Sequence, residues 1–137
     1  MNAEWCVIVE IDPVEFGIVA YKAKAPSGTD WLYHTIQAEM IEHTRWELNN
    51  HQSGDLWLDE MGKLNGREPT GAVTREFRSP MLLDQLVGPL VLTGDSTGDE
   101  LVLLKEALAD ELVRCLQGNG PLRVMGGYFM QLARCGV

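Results

Sequence analysis

The stretch VGPLVLTG, residues 87–94, is a short apolar run bounded by glycines. It is followed by DSTG, residues 95–98, a second group of turn-forming residues. An apolar run of this length between turn signals predicts a buried β-strand that is entered and left through tight turns. Glycine and proline supply backbone geometry here, so the stretch indicates a scaffold and offers no reactive side chain.

The residues after this strand predict the main helix of the chain. Residues 97–100, Thr-Gly-Asp-Glu, have the spacing of a capping box. Apolar residues then repeat at helical spacing, at Leu101, Leu104, Leu108, Leu112, Cys115 and Leu116. We expect one long amphipathic helix over about residues 99–117, ended by Gly118. Turn residues at 25–30 precede another apolar stretch and predict a shorter helix over about residues 29–37.

Several other segments have the residue pattern of strands. Residues 5–11 and 16–21 are rich in β-branched and aromatic side chains and flank a proline-containing turn, which predicts an antiparallel pair. Residues 55–59 alternate between polar and apolar, as a half-buried strand does. Gly126-Gly127 has the composition of a tight hairpin turn.

The segment 36–48 allows two interpretations. Its period-two alternation favours a strand that ends near Leu48, but a longer helix that begins at Asp30 is the competing interpretation. Taken together, the patterns predict one α+β domain over residues 1–137, built mainly from an antiparallel sheet.

Length and composition predict a small soluble protein. The 137 residues, 45% of them hydrophobic, suit one domain with a single core. The first residues lack the basic start and apolar core of a signal peptide, and no apolar run approaches the roughly 20 residues that span a bilayer. We therefore expect a cytoplasmic protein without membrane association. The odd number of cysteines, without metal-ligand spacing, predicts reduced thiols and neither metal nor cofactor, at Cys6, Cys115 and Cys135.

Charge is distributed unevenly along the chain. The net charge of −9 argues against direct nucleic-acid binding, because phosphate contacts need a surplus of Lys and Arg. Residues 63–80 reverse the trend, with four bases and two acids. These bases, here called the basic island, are Lys63, Arg67, Arg75 and Arg78. Because they lie on a Gly- and Pro-rich segment and guanidinium groups bind anions bidentately, the basic island is the predicted site for a ligand or partner.

A small enzyme is one alternative that the residues leave open. Its site would be assembled across the fold from His43, His51, Asp59 and Glu60. The histidine spacings match no metal-ligand signature. Adjacent acids on a strand point to opposite faces, which separates the two carboxylates. Ordinary surface roles are therefore the simpler interpretation of these four residues.

An acidic DNA mimic is the second alternative. In such an inhibitor, carboxylates imitate a track of phosphates and occupy a nucleic-acid-binding protein. The candidate carboxylates are Glu4, Glu10, Asp12, Glu15, Glu39, Glu42 and Glu47. The basic island counts against this alternative.

Three segments resemble an uncharacterised domain family found in small proteins of bacteriophages, plasmids and other mobile elements. They are Met40-Ile41-Glu42, then DLWLDEMGKLNG at 55–66, and LVGPLVLTG at 86–94. The resemblance extends over about residues 40–105. It implies a mobile-element origin and carries over no catalytic residue.

These observations favour a non-enzymatic phage or plasmid accessory protein. We expect it to bind and sequester a host or defence component, either a protein or a small anionic ligand, at the basic island. A homodimer stays open, because an edge strand or the terminal hairpin could pair with a second copy.

Overall fold

Within residues 3–96 and 100–133, which the computed structural model describes, nine strands form one antiparallel sheet. The strands are β1 (Trp5–Ile11), β2 (Ile18–Lys24), β3 (Ile41–Glu47), β4 (Ser53–Asp59), β5 (Pro69–Thr74), β6 (Leu82–Val87), β7 (Leu90–Gly94), β8 (Arg123–Val124) and β9 (Tyr128–Leu132). The helical elements are α1 (Asp30–Ile36), α2 (Glu106–Arg114) and a π-helical turn (Cys115–Asn119).

The sheet is strongly curled. Its strands follow the spatial order β2-β1-β7-β4-β3-β8-β9-β5-β6, and every neighbouring pair is antiparallel. Strands that are distant in this order also contact each other: β1 contacts β5, β2 contacts β9, and β4 contacts β6. The two halves of the sheet therefore face each other across an inner side.

Residues 87–94 form a turn and the most enclosed strand of the sheet. Gly88, with φ +73°, lies in the turn that takes the chain from β6 at the end of the sheet to β7 between β1 and β4. All five residues of β7 are buried, because both faces of this strand are covered. Its Leu90 and Leu92 belong to the inner core, whereas Val91 packs with α1 on the outer side.

The apolar side chains divide into an inner and an outer cluster. β1 shows the division, because successive side chains of a strand point to opposite faces. Val7 and Val9 lie in the inner cluster, which α2 covers with Leu112. Cys6 and Ile8 lie in the outer cluster, which is covered by α1.

The predicted fold class is wrong, because the α+β domain with one long amphipathic helix over residues 99–117 is not formed. The fold is mostly antiparallel sheet, and α2 covers only Glu106–Arg114. Leu104 instead lies extended beside Trp5, and the two residues exchange backbone hydrogen bonds of 2.9 and 2.8 Å. The backbone N–H and C=O groups of Leu104 are thus bonded to β1 and are not available to a helix. This tertiary pairing overrides the helical spacing of the leucines. Residues 97–99 of the predicted capping box lie outside the described residues.

The segment with two interpretations contains a helix and a strand in succession. α1 spans Asp30–Ile36 and ends at Gln37, whose φ of +58° places it in the left-handed region. β3 then runs from Ile41 to Glu47. No helix in the described part of the chain combines the length and the apolar character that crossing a membrane requires.

Candidate functional site

A cavity of about 690 Å³ lies over β5, β6, β9 and the π-helical turn. This volume falls within the range of roughly 300 to 1,000 Å³ that is typical of small-molecule sites. Its polar lining includes three glutamines, and we call it the glutamine cavity. The lining residues on which its chemistry depends are Ala72, Gln85, Gln117, Gln131, Arg78 and Ser79, with Pro80 and Leu82 as apolar contacts.

The register of the sheet positions two of the glutamines. Ala72 of β5 pairs with Gln85 of β6 on one side and with Gln131 of β9 on the other. Val73 and Met130, their neighbours along β5 and β9, belong to the inner core. Alternation along the strands therefore places the row Gln85, Ala72 and Gln131 on the outer face. Since the alanine side chain is a single methyl group, the row leaves a slot between two carboxamides.

The π-helical turn brings the third glutamine to the cavity. It follows α2 directly, and its first two residues stay buried in the inner core. Gly118 then has φ +94°, which glycine adopts without steric cost. A Cβ at this position would lie 3.6 Å from Oε1 of Gln131, so the turn passes close to β9. As a result, Gln117 and Gly118 both line the cavity.

Arg78 provides the positive charge of the glutamine cavity. Its backbone has φ +59°, an uncommon conformation for a residue other than glycine. Its Nε and Nη2 donate hydrogen bonds to the carbonyl oxygen of Gly118 at 3.2 and 2.6 Å. A guanidinium group has five N–H donors, so three remain for a ligand.

Aromatic rings support the loop that carries Arg78. The guanidinium carbon of Arg78 lies 5.0 Å from the centre of the Phe77 ring. Phe77 packs against Phe129 of β9, with ring centres 6.0 Å apart, and Arg123 lies 4.9 Å from the Phe129 ring. Within the loop, Ser79 Oγ accepts a hydrogen bond of 3.1 Å from the backbone of Met81. The cationic end of the cavity is thus built on packed side chains.

The electrostatic character of the glutamine cavity differs from that of four other cavities in the structure. Among the described residues, its lining contains Arg78 and no carboxylate. Each of the other four, with volumes of 270 to 380 Å³, has at least one carboxylate in its lining. Because the chain has 20 acidic and 11 basic residues, an anion meets a favourable local field at this cavity and an unfavourable one over much of the remaining surface.

The structure divides the basic island into two pairs: Lys63 and Arg67 line one cavity of about 380 Å³, and the other two bases lie elsewhere. Lys63 forms an ion pair of 2.7 Å with Asp84 on β6. Arg67 forms an ion pair of 2.9 Å with Asp59, and both side chains are largely buried. Its Nη1 also donates to the carbonyl oxygens of Ile36 and Gln37, at 2.8 and 3.1 Å. These two bases therefore neutralise carboxylates within the fold.

The other two members lie on the loop after β5. Arg78 lines the glutamine cavity, as described above. Arg75 is exposed and makes no ion pair or side-chain hydrogen bond within residues 3–96 and 100–133. It does not line the cavity. Of the four predicted site residues, only Arg78 thus contributes to this site.

The residues of the enzyme alternative are partly brought together. His43, Asp59 and Glu60 line one cavity of about 270 Å³, whereas His51 lines another with Arg45. Asp59 is paired with Arg67 and accepts a backbone hydrogen bond of 2.9 Å from Met61. The His43 ring contacts the Trp57 ring in a tilted arrangement, with ring centres 4.7 Å apart. Among the described residues, no group of three or more His, Cys, Asp or Glu side chains could hold a metal ion.

Carboxylates of the DNA-mimic alternative include two that have partners on β2. Glu4 pairs with Lys24 at 3.5 Å, and Glu10 accepts a hydrogen bond of 2.8 Å from Tyr21. Burial, reinforced by this bond, raises the pKa of Tyr21 to about 12. The DNA mimic itself stays a prediction.

The described cysteines are buried free thiols. Burial raises the pKa of Cys6 to about 11, and burial together with Glu111 raises the pKa of Cys115. A thiol with a raised pKa is a poor nucleophile at neutral pH, which agrees with packing roles for both residues. Cys135 lies outside the described residues.

Sequence reasoning missed the three glutamines of the cavity. Gln85, Gln117 and Gln131 are neutral, widely spaced in sequence and part of no known motif. Only the pairing of β5 with both β6 and β9 brings two of them to one site. The sequence offered one signal for Gln85: it alternates with Leu86, which is buried, so its side chain is expected on the opposite face of the strand.

Comparison with protein-family models, curated proteins and solved structures finds no match for this chain. The resemblance to a domain family of mobile elements therefore stays a prediction.

Proposed function

We propose that this protein is a non-enzymatic binding protein that takes a small anionic ligand into the glutamine cavity. One observation carries the proposal: Arg78 lines a cavity of about 690 Å³ to which residues 3–96 and 100–133 contribute no carboxylate, in a chain of net charge −9. Because the charged group in its described lining is a cation, the cavity attracts anions and is a favourable place for an anion in an acidic protein.

The chemistry of the lining supports binding. Carboxamides, a hydroxyl group and a guanidinium group hold a ligand through hydrogen bonds and charge. A concave site of this size accommodates a small molecule, which favours a small ligand over a protein partner. Together with the resemblance to mobile-element proteins, this supports sequestration of a small anionic component of a bacterial host or of its defence.

The proposal is tested by ligand capture. The purified chain is incubated with a small-molecule extract of bacterial cells, separated from unbound compounds and heated, and the released compounds are identified by mass spectrometry. We expect the unmodified chain to enrich at least one anionic compound. Arg78→Ala should lower that enrichment about tenfold, because it removes charge-assisted hydrogen bonds.

Arg114→Ala is the matched control. It removes the same charge from an exposed side chain on α2 whose partner is Glu111, and Arg114 does not line the cavity. The control should enrich the same compound as the unmodified chain. The proposal is wrong if no anion is enriched, or if Arg78→Ala, folded by its melting temperature, captures the anion as well as Arg114→Ala does.

A further inference from the structure

We propose that the ligand of the glutamine cavity is a nucleotide, with its base between the carboxamides and its phosphate at Arg78. This inference rests on the proposed function, that the cavity takes a small anion, and adds the chemical class of that anion.

The arrangement of the carboxamides is the first argument. Directly opposite residues on neighbouring strands have Cβ atoms about 5 Å apart, so Gln85 and Gln131 begin roughly 10 Å from each other across Ala72. Their side chains, and that of Gln117, have no hydrogen-bond partner within the residues that the structure describes. Three groups that can each donate and accept therefore face one cavity.

A nucleobase matches this arrangement. A carboxamide offers a donor and an acceptor side by side, and it pairs with a ligand edge that has the complementary pair. Gln makes such a bidentate contact with N6 and N7 of adenine. The hydroxyl groups of a phosphorylated sugar can also hydrogen-bond to carboxamides, but a sugar has no planar edge that presents a donor and an acceptor side by side.

The apolar part of the lining suits a flat ring. Ala72 lies between the two carboxamides, and Pro80 and Leu82 also line the cavity. Ligand sites of this kind are lined by apolar groups with a few polar groups that fix orientation. A base has apolar faces and polar edges, so both kinds of lining would be used.

The phosphate is assigned to Arg78 by charge and geometry. The guanidinium group keeps three N–H donors after its bonds to Gly118, and guanidinium binds phosphate bidentately. Ser79 lies next to it in the lining, and its Oγ accepts from Met81 but donates to no described residue, so its hydroxyl hydrogen is available to a phosphate oxygen. Both groups are on the loop, whereas the glutamines are on the sheet and the π-helical turn. The site thus has a charged end and an amide end.

Isothermal titration calorimetry of the unmodified chain tests the inference. The titrants are AMP, GMP, CMP, UMP, ribose phosphate and inorganic phosphate. We expect AMP to bind about tenfold more tightly than ribose phosphate, because only the nucleotide has a base for the carboxamides. The inference is overturned if none of the four nucleotides binds more tightly than ribose phosphate.

Variants separate the two ends of the site. Gln131→Leu and Gln85→Leu should reduce the affinity for AMP to that for ribose phosphate, whereas Arg78→Ala should weaken both. Gln52→Leu, in the turn between β3 and β4, removes a carboxamide that lies outside the cavity and accepts from Asn50, and it should leave AMP binding unchanged. Equal AMP affinity in Gln131→Leu, Gln85→Leu and Gln52→Leu would overturn the inference.

Failure of this inference is distinguishable from failure of the proposed function. If the chain captures another anion from the bacterial extract through Arg78 but binds no nucleotide in the calorimeter, the proposed function stands and the nucleotide is wrong. If neither experiment yields an anion, both are wrong. A melting temperature is measured for each variant so that an unfolded variant is replaced by the corresponding Gln→Ala.

Discussion

Arg67 and Arg78 belong to the same basic island in the sequence, but the structure uses them in opposite ways. Arg67 has a side chain that is 18% exposed and is paired with Asp59, which is 5% exposed. Arg78 is exposed at the edge of the glutamine cavity and, among the described residues, donates only to a backbone carbonyl oxygen. The charge of Arg67 is neutralised by Asp59 inside the fold, whereas the charge of Arg78 remains available to a ligand.

The difference between the two arginines depends on what the fold places beside each. Arg67 leads into β5, close to the end of β4 and the last turn of α1, where a buried carboxylate and two carbonyl oxygens surround its guanidinium group. Arg78 lies beyond β5, where the π-helical turn supplies a single acceptor. A cluster of basic residues in a sequence therefore overestimates the number of cations that are available to bind a ligand.

Removal of Arg67 should have the largest effect on stability. Arg67→Ala leaves the Asp59 carboxylate buried without its partner, and loss of one member of a buried pair costs about 3 kcal/mol or more of unfolding free energy. Urea denaturation followed by tryptophan fluorescence measures this loss. The double variant Asp59→Asn with Arg67→Ala should recover part of it, because no buried charge is then left unpaired. A loss below about 1 kcal/mol in the single variant would show that Arg67 is no more structural than Arg78.

Gly88→Ala should have the next largest effect. The new Cβ would lie 2.8 Å from Nε of Arg67, and φ is +73°. The ion pair with Asp59 keeps the guanidinium group from moving away, so we expect a loss of about 2 kcal/mol, measured by the same denaturation. Combined with Arg67→Ala, the substitution should cost less than it does alone, because the contact with Nε is gone while the backbone strain remains. Additive losses would show that Arg67 does not fill the space beside Gly88.

Arg78→Ala should leave stability nearly unchanged. It removes an exposed cation–π contact with Phe77 and hydrogen bonds to one carbonyl oxygen, which together contribute about 1 kcal/mol or less. Thermal unfolding followed by circular dichroism measures this. A loss as large as that of Arg67→Ala would give both arginines a structural role and remove the basis for assigning the free charge to the cavity.

The sequence predicted those parts of the fold whose signals are local. The apolar run at 87–94 predicted a buried strand, and β7 is buried at every residue. The helix over 99–117 could not be corrected from the sequence, because the partner that holds Leu104 extended is Trp5, which lies 99 residues earlier in the chain. The glutamine cavity was equally hidden, since Gln85 and Gln131 meet only through their shared neighbour Ala72.

Substitution of Lys63 should have the smallest effect on stability. It compares an exposed ion pair of the basic island with the buried pair of Arg67 and Asp59. The hydrogen bond from Lys63 holds the pKa of Asp84 below the usual value, so the pair contributes stability above the carboxyl pKa of the unfolded chain and loses it as pH falls through the folded pKa. Both side chains are substantially exposed, so Lys63→Gln should cost less than about 1 kcal/mol at neutral pH. The difference from the unmodified chain should vanish at strongly acidic pH and shrink when salt is added, because exposed charges are screened. Urea denaturation at neutral and acidic pH, each with and without salt, tests this. A loss of unfolding free energy that is independent of pH would mean that the Lys63 side chain stabilises the protein by packing and not by its charge.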